Sequence, residues 1–154
     1  MPEIPEPCMD SGPIGILVID DEPVDIAVIR TCLESAGYTV LVGADYDEGL
    51  ATIEAHQDRI DLLITDVSLP GKTGLELAKE CLTKKPDLKI LLISGWAGAE
   101  FLDFVGIPKD DPHFLSKPFR SSALIDRVRE ILHSTDQIAW LAANTNKAAS
   151  GQGS

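Results

Sequence analysis

Five short apolar runs alternate along the chain with segments whose apolar residues recur at helical spacing. Each run is typical of a strand that helices cover on both faces, and the runs lie at 15–20, 39–42, 61–65, 89–93 and 113–115. The predicted helices span 23–35, 45–56, 74–84 and 121–133. Since a helical crossover joins parallel strands, this alternation predicts a parallel sheet between two layers of helices.

Chain connectivity narrows the prediction further. Right-handed crossovers favour an α/β fold with a doubly wound, five-stranded parallel sheet in the order 2-1-3-4-5, a flavodoxin-like arrangement. In the first helix, Val24, Ala27 and Val28 begin a helical stripe that continues through Cys32. Residues 99–105, between the fourth and fifth strands, suit about two turns of helix, but a glycine and two prolines follow them. We expect a short or irregular helix there.

The domain is expected to span residues 14–134, which is long enough for one full hydrophobic core. Residues 1–13 hold four prolines among acidic and small residues, a composition that predicts a flexible leader. Residues 135–154 form a C-terminal tail that is predicted to be partly helical and then disordered. Its apolar Ile138 and Trp140 could extend the last helix or dock, whereas the final residues are small and polar.

Composition argues against several classes of function. The formal net charge of −12 is unfavourable for nucleic-acid binding, which requires a basic surface. No apolar run approaches the roughly 20 residues of a membrane span, and residues 1–13 lack the pattern of a secretory signal. The three cysteines are odd in number and lack CxxC spacing, which is typical of free thiols in a reducing compartment. We expect a cytoplasmic protein that contacts neither nucleic acid nor membrane.

Polar residues follow the apolar runs at the points where the predicted strands end. Asp20 and Asp21 follow the first strand, Asp66 the third, Ser94 the fourth and Lys117 the fifth. The carboxyl ends of parallel strands lie at one edge of a doubly wound sheet, and ligands bind there, near the switch point between the first and third strands. We expect these five residues to meet at that edge.

Three carboxylates in one place predict a metal site. Asp20, Asp21 and Asp66 would repel one another unless a cation offset their charge. Mg²⁺ binds oxygen atoms and usually takes one or two carboxylates together with waters and phosphate oxygens. A bound metal would also neutralise charge on a phosphoryl group. Simpler interpretations stay open, since Asp20 and Asp21 could cap the first helix and Asp66 could hydrogen-bond its own turn.

The same edge carries a candidate nucleophile and its helpers. Asp66 could form an acyl phosphate, as other enzyme aspartates do. Lys117 offers an ammonium to a phosphoryl oxygen or to Asp66 itself, and a cis bond to Pro118 would fix its direction. Ser94 offers a hydroxyl to the same group, or it caps the segment that follows.

These segments together resemble the receiver domain of two-component response regulators over about residues 15–134. Four motifs carry the resemblance: IDDEP at 19–23, TDVSLPG at 65–71, ISG at 93–95 and SKP at 116–118. The resemblance implies that Asp66 accepts a phosphoryl group from a phosphohistidine. It also implies that Mg²⁺ (or Mn²⁺) is held by Asp20, Asp21, Asp66 and the main-chain carbonyl of Ser68.

The resemblance assigns further residues around the phosphorylation site. Lys117 would bind the phosphoryl group, and Ser94 would turn towards it. Ser94 and Phe114 occupy the family's two switch positions, but phenylalanine lacks the hydroxyl of the commoner tyrosine. Ser68 and Trp96 flank the site and are predicted to tune phosphoryl lifetime through water access. Trp96 would partly cover the group, or it is simply a packing aromatic.

We therefore expect a phosphoacceptor switch of a two-component phosphorelay rather than a turnover enzyme that acts on an external substrate. The phosphoryl donor would be a sensor histidine kinase or a histidine phosphotransfer protein, and modification would alter protein–protein contacts. The irregular helix before the fifth strand favours a monomer or weak dimer. Three alternatives remain: a phosphatase with an aspartyl-phosphate intermediate on a similar fold, a receiver fragment of a larger hybrid kinase, and a binding-only pseudo-receiver.

Overall fold

The computed structural model describes residues 14–69, 71–95, 100 and 113–133. The strands are β1 (Gly15–Ile19), β2 (Thr39–Gly43), β3 (Leu62–Asp66), β4 (Lys89–Ser94) and β5 (Phe114–Ser116). The helices are α1 (Pro23–Ser35), α2 (Tyr46–Ala55), α3 (Gly74–Lys84) and α4 (Ser121–His133), and a 3₁₀ turn (Gln57–Arg59) follows α2. The predicted leader, the predicted tail and, apart from Glu100, the irregular helix at 99–105 lie outside the described residues.

The strands form one parallel sheet in the order β2-β1-β3-β4-β5, which confirms the predicted topology. β1 and β3 are neighbours in the sheet, with Ile16 opposite Leu62 and Ile19 opposite Thr65. Each observed strand begins and ends within one residue of its predicted bounds. This register brings the carboxyl ends of β1 and β3 to the same edge of the sheet, where the acidic residues follow.

The sheet divides the hydrophobic core into two layers, because alternate residues of a strand face opposite sides. On one face, Leu17 and Leu63 belong to a buried cluster that includes Leu77 of α3. On the other face, Ile16 and Ile64 belong to a cluster completed by side chains of α1 and α4. Helices therefore cover both faces, as the near-continuous apolar composition of the strands predicts.

The buried face of α1 differs from the apolar stripe that stands out in its sequence. Ile29 and Leu33 are buried against the sheet, whereas Val24 and Val28 are 71% and 53% exposed. Adjacent helical residues point about 100° apart, and here the side that carries Ile29 faces the sheet while the side that carries Val28 faces solvent. α1 carries two apolar stripes, and packing on the sheet buries the one with the larger side chains. The stripe through Val24 and Val28 is left outside.

The thiols of the described residues are unpaired, with Cys81 buried on α3 and Cys32 partly buried on α1. Burial raises the pKa of Cys81 to about 12, which keeps this thiol neutral. Within the described part of the chain, every helix is too short or too polar to cross a membrane.

Candidate functional site

Three carboxylates surround the side chain of Lys117 at the carboxyl edge of the sheet. Its Nζ donates hydrogen bonds to Asp20 Oδ2 at 2.9 Å, Asp25 Oδ2 at 2.7 Å and Asp66 Oδ2 at 2.8 Å. An ammonium has three N–H donors, so these contacts occupy all of them. The structure thus brings Asp20, Asp66 and Lys117 together as the sequence predicts, and it adds Asp25.

Asp20 follows β1 and is fully buried. Its Oδ1 accepts a hydrogen bond from the backbone N–H of Glu22, and its Oδ2 receives the ammonium of Lys117. Burial raises the pKa of Asp20 above its ordinary value, although both hydrogen bonds act in the opposite direction. Asp20 and Asp21 do not occupy the N-cap of α1. The N-cap residue is Glu22, whose side chain makes no capping hydrogen bond.

Asp66 ends β3 and is almost completely buried. Its Oδ1 accepts the backbone N–H of Ser68 at 2.9 Å, so one oxygen does hydrogen-bond its own turn. The other oxygen contacts Lys117, and the simple loop interpretation does not explain that contact. Ser68 itself is exposed and forms an isolated antiparallel bridge with Thr73, which closes the loop beside the site.

Lys117 is placed by its backbone as well as by its charge. Its backbone N–H donates to the carbonyl of Ser94 at 2.7 Å, and its bond to Pro118 is cis. Burial by itself would lower the pKa of Lys117, but hydrogen bonds to Asp25, Asp66 and Asp20 outweigh that effect and raise it above its ordinary value. The lysine therefore remains a fixed cation at neutral pH.

The acidic residues have a geometry that a divalent cation could use. Asp20, Asp21 and Asp66 each offer a carboxylate oxygen, and these oxygens all lie within 4.8 Å of one another. Asp21 is exposed, so the cluster is open to solvent on one side. Oxygen donors on a partly open cluster suit Mg²⁺ or Mn²⁺, which keep waters in their coordination shell. The residues therefore fit the ion that the sequence predicts.

The remaining predicted site residues lie near this centre or outside the described chain. Ser94 ends β4, is buried, and donates its hydroxyl to the carbonyl of Gly95 at 3.0 Å. Phe114 begins β5 and is buried in the same core cluster as Leu77 of α3. Their switch roles stay predictions, as does the effect of Ser68 on phosphoryl lifetime. Trp96 lies outside the described residues.

Asp25 is the site residue that sequence reasoning missed. It lies in the first turn of α1, five positions after Asp20, and forms the shortest of the three Lys117 contacts. A usable signal was present, because Pro23 predicts where α1 begins and Asp25 follows within the same turn. Whether that turn faces Lys117, which follows β5, depends on tertiary packing, and the local sequence pattern does not predict it.

Comparisons with known proteins agree with this geometry. A family model for the response regulator receiver domain matches residues 16–129. The response regulator receiver protein CpdR of Brucella abortus is 33% identical over 118 residues, which are 76% of this chain and 95% of that protein. The regulatory protein PhoP of Bacillus subtilis, named for alkaline phosphatase synthesis, is 30% identical over 89% of this chain and 56% of its own length.

Solved structures share the same architecture. A response regulator receiver protein from Sinorhizobium medicae superposes with a TM-score of 0.70 at 26% identity, covering 81% of this chain and 98% of that one. The chain spans about half the length of several transcriptional regulators that it matches. A shared fold, a family match across most of the chain and the acid–lysine cluster lead to one conclusion. The chain belongs to the family of response regulator receiver domains.

Proposed function

We propose that this chain is a phosphoacceptor switch in which Asp66 takes a phosphoryl group from a phosphohistidine of a partner protein. One observation carries the proposal: a buried strand-end carboxylate bonded to a fixed lysine, beside two further carboxylates. Nucleophilic catalysis by a carboxylate requires such a positioned oxygen and nearby positive charge. The chain would act on itself, and so would not turn over an external substrate.

The transfer exchanges one bond to phosphorus for another. An oxygen of Asp66 forms the new O–P bond, the N–P bond to the donor imidazole breaks, and its electron pair stays on the imidazole nitrogen. Once the Asp66 oxygen is part of an acyl phosphate, it carries less charge to hold Lys117. The ammonium can then donate to a phosphoryl oxygen at the same place, because a compact cation on a flexible stem needs little rearrangement. Ser94 would supply a hydroxyl to another phosphoryl oxygen.

The proposed cofactor is Mg²⁺ or Mn²⁺. Asp20, Asp21, Asp66 and the main-chain carbonyl of Ser68 would hold it, and their oxygen chemistry supports this assignment. Bound there, the ion would neutralise charge on the phosphoryl oxygens during transfer. Two of these three carboxylates, Asp20 and Asp66, hydrogen-bond the same cation, Lys117.

The proposed donor is a sensor histidine kinase or a histidine phosphotransfer protein in the cytoplasm. Its histidine must reach Asp66, so its surface must cover the neighbouring part of α1. That part is apolar and exposed at Val24 and Val28. Val28 also lines a cavity of about 190 Å³ that reaches Lys117. An apolar helical surface around the donor histidine would fit this face.

The test is exposure to acetyl phosphate with Mg²⁺, followed by intact mass measurement. Wild type is expected to gain about 80 Da, the mass of one phosphoryl group on an activated aspartate, and Asp66→Asn to gain none. Asp58→Asn is the matched control, because it removes an exposed aspartate from the 3₁₀ turn and should still form the adduct. An unmodified wild type, or an equal adduct on Asp66→Asn, would overturn the proposal. Sustained phosphate release from small phosphoesters would instead favour the phosphatase alternative.

A further inference from the structure

Asp25 holds Lys117 from outside the acidic cluster. Its Oδ2 lies 2.7 Å from Lys117 Nζ, and its side chain is 37% exposed, against 10% for that of Asp66 and 0% for that of Asp20. The cluster able to hold a cation consists of Asp20, Asp21 and Asp66, and Asp25 is not part of it. Among the described partners of Lys117, Asp25 is thus the one that lies outside the candidate metal cluster.

A metal and Lys117 draw on the same two carboxylates. The ammonium bonds Asp20 Oδ2 and Asp66 Oδ2, and both carboxylates belong to the metal cluster. A divalent cation bound there therefore competes with Lys117 for the negative charge of Asp20 and Asp66 and repels the ammonium. A partly buried ammonium that loses two charged partners needs another partner or must return to water. Asp25 can remain bonded to it throughout.

We propose that Asp25 is a positioning residue that keeps the Lys117 ammonium beside the site while a divalent cation takes Asp20 and Asp66. The inference rests on the proposed function for its purpose, since the lysine is needed there when the phosphoryl group arrives. Without Asp25, the ammonium would keep its bonds to Asp20 and Asp66 and oppose the cation. Asp25 also ties Lys117 to α1, the helix whose exposed stripe lies beside the site.

The test is a double-mutant cycle on Mg²⁺ binding, measured by isothermal titration calorimetry without any phosphodonor. In the presence of Lys117, we expect Asp25→Asn to weaken Mg²⁺ binding about fivefold, within the usual range for coupled charged neighbours. In a Lys117→Met background, the same change should weaken binding by no more than about twofold, because only a solvent-screened charge is lost. Asp25→Glu should restore most of the affinity.

The matched control is Asp47→Asn. Asp47 is an exposed aspartate in the first turn of α2, so its loss removes the same charge from the same part of a helix. It should leave Mg²⁺ affinity unchanged, and circular dichroism should show all variants folded. If Asp25→Asn does not fold, Asp25→Ser takes its place in the cycle.

Two outcomes would overturn the inference. Unchanged Mg²⁺ affinity in Asp25→Asn would mean that the bond from Asp25 to Lys117 does not affect metal binding. An equal loss with and without Lys117 would mean that Asp25 acts only as a distant charge. Either result leaves the acetyl phosphate experiment on Asp66 unaffected. Conversely, coupling between Asp25 and Lys117 without phosphorylation of Asp66 would support the anchor and contradict the proposed function.

Discussion

Asp20 loses all contact with solvent at the point where β1 ends. A buried carboxylate is costly unless its partners compensate, and Asp20 shares its only described cation, Lys117, with Asp25 and Asp66. Burial raises the pKa of Asp20, so the folded protein holds this proton more tightly than the unfolded chain does. We therefore expect Asp20 to serve binding and to lower the stability of the fold, as residues of functional sites often do.

Asp20→Asn is expected to stabilise the metal-free protein by about 1 kcal/mol at pH 7, because the amide keeps the shape without the buried charge. The pKa of Asp20 is raised from its ordinary 3.8, so the unfolded chain loses this proton first as the pH rises. The contribution of Asp20 to the free energy of unfolding of the wild type must then fall as the pH rises from about 4 through the pKa that Asp20 has in the folded protein. Urea unfolding in EDTA at several pH values measures the difference in free energy of unfolding between Asp20→Asn and wild type. We expect that difference to widen as the pH rises.

Asp21→Asn is the control for that experiment. Asp21 is the neighbouring aspartate in the same cluster, but it is exposed. The Asp21→Asn substitution should shift the free energy of unfolding by less than about 0.5 kcal/mol. A destabilised Asp20→Asn would show that the carboxylate contributes net stability to the fold.

The connection from β3 to α3 shows how one element places the nucleophile. Thr73 caps α3 in a capping box with Glu76, each side chain accepting the other's backbone N–H. Gly74, the first residue of α3, donates its N–H to the carbonyl of Val67. A Cβ on Gly74 would lie 2.0 Å from the carbonyl oxygen of Asp66, so only glycine lets the helix begin there.

Gly74→Ala is expected to lower the free energy of unfolding by about 2 kcal/mol, because the new methyl group must displace backbone at the end of β3. The same displacement moves Asp66 and should slow phosphorylation by acetyl phosphate about tenfold. Gly95→Ala is the matched control, since a Cβ there meets no atom of the described residues within 4 Å. A Gly74→Ala protein with wild-type stability would contradict the close approach at this helix start.

At the scale of the whole molecule, α1 and α4 cover the same face of the sheet and leave an open groove of about 800 Å³ between them. Ala27, Val28 and Cys32 of α1 and Ile125 of α4 line part of it. The groove continues the exposed stripe of α1 from Val28 towards the C-terminal end of the helix. This surface exists only once both helices have packed on β1, β3 and β4.

A double Val24→Ala, Val28→Ala variant is expected to slow phosphotransfer from a phosphorylated kinase domain about tenfold, through lost apolar contact with the donor. Its reaction with acetyl phosphate should be unchanged, because that donor needs no docking surface. The probe is a kinase phosphotransfer domain that phosphorylates the wild-type chain. Val42→Ala, at an exposed valine of β2, is the control. Equal slowing with both donors would place the effect in the site rather than in docking.

Much of this fold could be predicted from local patterns, since strand and helix periodicity is a property of neighbouring residues. The bounds of α1, α3 and α4 follow from it, and the strand order follows from the right-handed crossovers that join successive strands. So does the meeting of Asp20, Asp66 and Lys117, because parallel strands end at one edge.

The sequence by itself determined the topology and which strand ends carry the acids and the lysine, because both depend on order along the chain. Only the tertiary structure decided which stripe of α1 is buried, and hence that Val28 lies outside and Ile29 inside. The same packing turned Asp25 towards Lys117, 92 positions away. Both depend on how a helix is rotated against a sheet, and that rotation is decided by contacts between residues distant in sequence.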